Sequence, residues 1–115
     1  MKIGVIGAMQ MEVDTLKESM ENIQTEVYSG VTYVSGTIEG KEVVAAVCAA
    51  ICAEAMILKY NVDCVINIGV GGTLCKELGV MDVAVADQVV QHDMNTSALG
   101  DPIGLLSGLD QIFLP

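Results

Sequence analysis

Lys2-Ile-Gly-Val-Ile-Gly-Ala8, running into Met9-Gln-Met-Glu-Val-Asp-Thr-Leu16, is the stretch whose reading decides the fold. After Lys2 the first segment is continuously apolar, the pattern of a strand covered on both faces. From Met9 the period changes. Met9, Val13, Leu16, Met20 and Ile23 recur at alternating steps of four and three, which is one helical stripe over Met9–Ile23. A strand buried on both faces that feeds an amphipathic helix is the opening unit of a layered α/β protein.

Outward from that unit, Glu26–Val34 and Thr37–Val47 read as two strands, the second containing a turn signal at Glu39-Gly40. An Ala-rich helix follows over Ala49–Tyr60, with small residues that let it lie close against a sheet. Val62–Ile68 is a second all-apolar strand, ended by Gly69-Val70-Gly71-Gly72, and Val83–Val90 is a third. Beyond His92 the chain reads as loop, with glycines at 100, 104 and 108 around Pro102, and it contains no internal repeat. Buried strands alternating with amphipathic helices predict an α/β layered fold with a largely parallel central sheet. Two junctions look short. The strand ending near Cys48 meets the helix at Ala49 with no connecting residues, where such links take about 2–6. Either both ends unravel to form the loop or residues are missing there. The chain also stops at Phe113-Leu114-Pro115 after a long loop, as if another element should follow.

The composition narrows the function classes. The 115 residues are 52% apolar, which disfavours disorder. Fifteen acidic residues against five lysines, with no arginine, give a charge of −10, so nucleic acid and anionic membrane surfaces are poor partners. Val43–Ala53, the longest nearly apolar stretch, is too short to span a bilayer. Cys48, Cys52, Cys64 and Cys75 include no C-x-x-C pair and His92 is the lone histidine, so zinc-ligand spacing is absent. The Met1–Met9 segment lacks the marks of a secretory leader, and reduced, buried cysteines in a cytoplasmic protein are expected. The seven methionines are read as core filler.

Among residues that carry chemistry, Glu12 lies on the flank of the helical stripe, while Asp14, Glu18 and Glu21 lie opposite. Two readings stay open. Glu12 either complements the helix dipole in solvent or points inward at the C-terminal end of a buried strand, where open α/β sheets place ligands. Gly69-Val70-Gly71-Gly72 either lets a ligand approach the backbone or makes a tight exit needing positive φ, and its spacing is not G-x-G-x-x-G. Asn67 needs a partner within an apolar strand. The adjacent His92-Asp93 pair reads as loop polarity rather than an acid–base couple.

Taken together, Met1-Lys-Ile-Gly-Val-Ile-Gly-Ala-Met9 with Glu12-Val13, Val65-Ile-Asn-Ile-Gly-Val-Gly-Gly72, Val80-Met-Asp82 and Gln91-His-Asp-Met-Asn-Thr-Ser-Ala-Leu-Gly100 closely resemble bacterial 5′-methylthioadenosine/S-adenosylhomocysteine nucleosidases. The resemblance runs through the whole chain and about half the family's length, so residues 1–115 are expected to be one partial domain. It implies an αβα layered fold with a mixed sheet of the purine nucleoside phosphorylase type. It also implies a cytoplasmic homodimer that needs no cofactor or metal and hydrolyses the bond between adenine and the 5′-thioribose in methionine salvage. By the same resemblance Glu12 matches the carboxylate that activates the attacking water. Ala8 and Met9 match positions beside the ribose and its alkylthio tail, and Val70, Gly71 and Gly72 the loop lining purine and ribose. Thr96 and Leu99 match positions closing the neighbouring subunit's alkylthio pocket.

The chain also departs from that family. The leaving-group Asp and the ribose-gripping Glu fall in the family's second half, and its Gly-x-Gly-Lys loop is missing between Cys48 and Ala49. The purine loop reads Gly-Val-Gly-Gly-Thr where Gly-x-Ala-Gly-Gly is common, and Asn95 stands where many members carry Asp. A nucleoside phosphorylase and a non-catalytic association module, pairing through Thr96–Leu106 and open strand edges, are the alternatives. The lack of arginine suits a hydrolase using water better than an enzyme holding phosphate.

Overall fold

A computed structural model describes residues 1–87, 89 and 93–105. In chain order they form β1 (Lys2–Gly7), α1 (Gln10–Glu18), β2 (Glu21–Tyr28), β3 (Val31–Ile38), β4 (Lys41–Val47), α2 (Ala50–Leu58) and β5 (Cys64–Ile68). The sheet order is β2-β3-β4-β1-β5, with β1 parallel to both β4 and β5 and the β2-β3-β4 part antiparallel. The sheet is therefore mixed. The chain divides into two units, Met1–Gly72, which holds the sheet and both helices, and a second beginning at Thr73.

Alternation along the central strands explains the layers. Val43 and Ala45 of β4, with Val5 of β1 and Val34 of β3, pack with Val13 of α1. Val44 and Ala46, with Ile6 and Tyr33, pack on the opposite face with Cys52, Ala55 and Met56 of α2. Each central strand buries both faces, as its unbroken apolar run requires. Gly7 permits the close packing of α1, since a Cβ there would meet Val13 Cγ2 at 2.9 Å.

The boundaries differ from the periodic reading in instructive ways. The helical stripe was expected to run to Ile23, but α1 stops at Glu18, where the Ser19 and Met20 N–H groups donate to the Leu16 and Lys17 carbonyls at 3.0 Å. Met20 still reaches the core, whereas Ile23 is part of β2 and exposed. The Glu26–Val34 run spans a hairpin rather than one strand. Ser29 and Gly30 turn it at φ 51° and 78°, and Glu39 and Gly40 repeat the geometry at 49° and 74°, both fitting two-residue type I′ turns. The Glu39-Gly40 turn was legible in advance and the Ser29-Gly30 turn was not.

Beyond the end of α2 a left-handed residue turns the chain toward β5. Val62 N–H donates to the Met56 carbonyl at 3.2 Å across Asn61, which takes a left-handed φ of 51°. Asp63 then fixes β5 beside β1, donating its N–H to the Lys2 carbonyl at 2.8 Å and accepting the Lys2 N–H at 2.7 Å. At the outer end of α2, Lys59 pairs with Glu26 of β2 and lies 4.1 Å from the Tyr28 ring centroid, while Tyr60 Oη donates to Glu26 at 2.9 Å. These contacts pin α2 to the far side of the hairpin.

Three further expectations are corrected. The apolar β5 is not buried: Val65 and Ile66 are 36% and 47% exposed, because β5 is an edge of the described sheet. The expected strand at Val83–Val90 is absent among its described residues, where Val83, Val85 and Val89 are exposed and find no ladder partner; positions 88 and 90 lie outside the described residues. Of the cysteines only Cys52 is buried, although all four are unpaired thiols, and of the described methionines only Met20 and Met56 join the core. In the second unit Asn95 Oδ1 accepts the Ser97 N–H at 3.1 Å and opens a 3₁₀ turn over Ser97–Leu99, which Gly100 ends at φ 96°. No described helix is long and apolar enough to cross a membrane.

Candidate active site

The parallel register aligns three strand ends. Gly7 pairs with Val47 on one side and with Ile68 on the other, so β4, β1 and β5 deliver their following residues to one edge. Ligands of open α/β sheets bind at such carboxyl ends. A cleft there is lined by Ile6, Gly7, Ala8, Cys48, Ala49 and Asn67.

Glu12 stands beside this edge as the third residue of α1. Met9 precedes the helix in an extended conformation (φ −129°, ψ 151°), and the chain bends back so that one carboxylate oxygen caps the turn. Glu12 Oε2 accepts the Ala8 N–H at 2.8 Å and the Met9 N–H at 3.0 Å. These are orphan donors at a helix start, and a carboxylate answers both their hydrogen-bonding need and the positive end of the dipole. The other oxygen, Oε1, is shielded from solvent and has no hydrogen-bond partner. It faces the exit of β5, where a Cβ built on Gly69 would lie 3.8 Å from Oε1 and 3.8 Å from the Ala8 Cβ. Of the two readings open for Glu12, the inward one describes the geometry. A buried acceptor with no donor is costly and calls for one.

Ala8, Met9, Glu12 and Gly69 are thus brought together. Val70, Gly71 and Gly72 follow as exposed residues, and neither Gly71 nor Gly72 has an atom within 4 Å of a built Cβ. None of Gly69, Gly71 and Gly72 has positive φ, so a tight left-handed exit does not account for them. Asn67 is exposed at the cleft rather than buried in a strand interior. Thr96 and Leu99 belong to the second unit: Thr96 Oγ1 is shielded and without a partner, and Leu99 is exposed. Asp93 is exposed, and His92 lies outside the described residues. No group of three potential metal ligands occurs among the described residues.

Cys48 and Ala49 are the site residues that sequence reasoning missed. They form the whole link between β4 and α2: β4 ends at Val47, as expected, and α2 starts at Ala50, one residue later than expected. Cys48 takes φ 131°, a conformation glycine tolerates and other residues rarely adopt. The absence of Gly or Pro at this junction was the signal that the corner is forced.

Comparison with known proteins places this geometry in context. The family described as the phosphorylase superfamily matches residues 2–115. A 5′-methylthioadenosine/S-adenosylhomocysteine nucleosidase of Shewanella sediminis is 38% identical over 121 residues, covering 100% of this chain and 53% of the relative. The counterpart from Shewanella halifaxensis is 37% identical with the same coverage. Among solved structures, the Neisseria meningitidis nucleosidase in complex with methylthio-immucillin-A has a TM-score of 0.84 at 33% identity, over 94% of this chain and 49% of that one. The Colwellia psychrerythraea nucleosidase in complex with adenine has a TM-score of 0.87 at 34% identity, over 100% of this chain and 50% of that one. The chain spans about half the length of the curated relatives it matches. With its mixed sheet between two helices, and with nearly every residue matched, the chain belongs to the phosphorylase superfamily.

Proposed function

We propose that this chain carries the water-activating side of an N-glycosidic hydrolase that cleaves 5′-methylthioadenosine and S-adenosylhomocysteine to release adenine. The observation that carries the reading is Glu12, with Oε2 held by two backbone N–H groups and Oε1 shielded and unpartnered at the strand-end edge. A water donating to Oε1 satisfies that acceptor. As the glycosidic bond lengthens, positive charge develops on the ribose ring. The carboxylate then does two things: it favours that charge and takes the proton of the water whose oxygen attacks the anomeric carbon. The amides of Ala8 and Met9 keep the carboxylate oriented, so little reorganisation accompanies the step.

In this reading Ala8 and Met9 sit beside the ribose and alkylthio tail, and Val70, Gly71 and Gly72 line the purine. Thr96 and Leu99 close the alkylthio pocket of a partner subunit in a cytoplasmic homodimer. The exposed Ile51, Ile57 and Leu58 of α2 supply apolar area suited to such pairing. The groups that protonate adenine and grip the ribose hydroxyls belong, in the family this chain resembles, to the half not matched here, and residues 1–115 constitute one partial domain.

The test is adenine release from methylthioadenosine by the purified chain, first without phosphate and then with it. Phosphate-independent release that Glu12→Gln abolishes supports the hydrolase. Release of ribose 1-phosphate only when phosphate is added identifies a phosphorylase instead. A folded chain that releases no adenine is not by itself an enzyme. Sedimentation at micromolar concentration then decides the association reading, which a monomer overturns.

A further inference from the structure

The β4–α2 corner places two thiols on either side of one short link. Cys48 is exposed immediately after β4, and Cys52 is buried as the third residue of α2. The Cys52 Sγ lies 3.6 Å from the Val47 carbonyl oxygen, and that carbonyl belongs to the peptide bond entering Cys48. Standard trans-peptide dimensions put this oxygen about 3 Å from the Cys48 Cα, so the Cys52 sulfur lies within roughly 6.5 Å of it. The exposed Cys48 side chain, free to rotate on that Cα, is therefore the thiol within reach of the Cys52 sulfur. The other thiol of this unit, Cys64, pairs in register with Ile3, four rows back from the Gly7–Val47 row, or roughly 13 Å away. Burial pushes the Cys52 thiol up in pKa and the adjoining Cys48 adds to this, while the neighbouring Tyr33 hydroxyl pulls it down by favouring the thiolate. That hydroxyl is itself shielded.

We propose that Cys48 and Cys52 form a reactive thiol pair that hydrogen peroxide closes into a disulfide, with Cys48 as the attacking thiol and Cys52 as the resolving one. The Cys48 thiolate attacks one peroxide oxygen. The O–O bond breaks, the sulfur is oxidised to a sulfenic acid, and the other oxygen leaves as water. The Cys52 thiolate then attacks the Cys48 sulfur, the S–S bond forms, the S–O bond breaks, and the hydroxyl leaves with a proton as a second water. Two electrons pass from the thiols to one peroxide. Cys48 borders the cleft beside Ala8 and Asn67, so a bond from it to the buried Cys52 locks the corner of the candidate site. This inference stands apart from the nucleosidase reading, because its readout is thiol chemistry.

The experiment treats the reduced 115-residue chain with hydrogen peroxide, counts remaining thiols and maps the tryptic peptide Glu42–Lys59, which contains Cys48 and Cys52 and no other cysteine. The expected result is loss of two of the four thiols, with that peptide two hydrogens lighter, unalkylatable and restored by dithiothreitol. Cys52→Ser should leave a sulfenic acid on Cys48 that dimedone traps, and Cys48→Ser should leave Cys52 reduced. A Glu42–Lys59 peptide that stays reduced while Cys64 or Cys75 oxidises overturns the proposal. So does the same Cys48–Cys52 preference in a chain unfolded by guanidinium, since proximity in sequence would then suffice.

Discussion

Replacing Cys48 by glycine should stabilise the protein, which is unusual for a substitution beside a candidate active site. Cys48 is exposed, so its side chain contributes little burial, yet it holds φ at 131°. Non-glycine residues in such sparsely populated regions cost about 1–3 kcal/mol. Glycine removes that cost and gives back about 0.4–1 kcal/mol through the greater freedom of the unfolded chain. The net gain is about 1 kcal/mol. With a urea m-value of about 1.5 kcal/mol/M, the unfolding midpoint should rise by roughly 0.7 M at unchanged slope. Cys48→Val tests the sign from the other side, because a β-branched residue at positive φ is a genuine outlier and should lower the midpoint. Lengthening the link should act like glycine, since turn residues inserted between Cys48 and Ala49 let the corner relax. Circular dichroism in urea measures all three variants. A midpoint lowered by glycine, or left equal in the glycine and valine variants, refutes the strained corner.

Three other outcomes follow from the packing and the ion pairs. Met56→Ala should cost about 2–5 kcal/mol in urea unfolding, since Met56 is fully buried between α2 and β1 and its Sδ would lie 2.9 Å from a Cβ on Gly4; a loss under about 1 kcal/mol would mean the site collapses around the gap. Lys59 and then Tyr60 hold Glu26 below its ordinary pKa of 4.5, so its contribution is present above that pH and lost as pH falls through the lowered folded value. Unfolding curves of the natural chain and Glu26→Gln should therefore differ near neutrality and converge in acid, and a gap that widens in acid contradicts the sign. Glu12→Ala should destabilise by about 1–2 kcal/mol through the freed Ala8 and Met9 amides, with Glu12→Gln costing less because an acceptor oxygen remains. Equal losses would place the effect in charge rather than in capping.

The residues that read well from sequence are those whose environment is two-sided. Val5 and Ile6 pack into opposite clusters, as do Val43 and Val44, so a run without polar interruption is itself the record of burial on both faces. Periodicity failed where the chain reversed without breaking the pattern. Ile23 keeps the helical phase of Leu16 and Met20, but Ser19 ends the helix and Asn22 turns at φ 54°. An apolar run also says nothing of its lateral position: Val62–Ile68 looks like β1 in composition, yet β5 is an edge of the described sheet and Val83–Asp87 joins no sheet at all.

The same limit governs the site. A helical wheel places Glu12 on a flank, but its direction is set by the Ala8 and Met9 amides, backbone groups that no wheel contains. Gly69 comes near it only because β1 and β5 pair in parallel, with Gly7 opposite Ile68. Cys48 joins the same edge only because Gly7 also faces Val47. Local chemistry can therefore nominate a carboxylate or a glycine, while strand register decides which of them meet. In this chain the register delivers Glu12 and the strained thiol corner to one edge of the sheet, so relaxing Cys48 and removing the Glu12 carboxylate should prove separable in stability while both bear on the cleft.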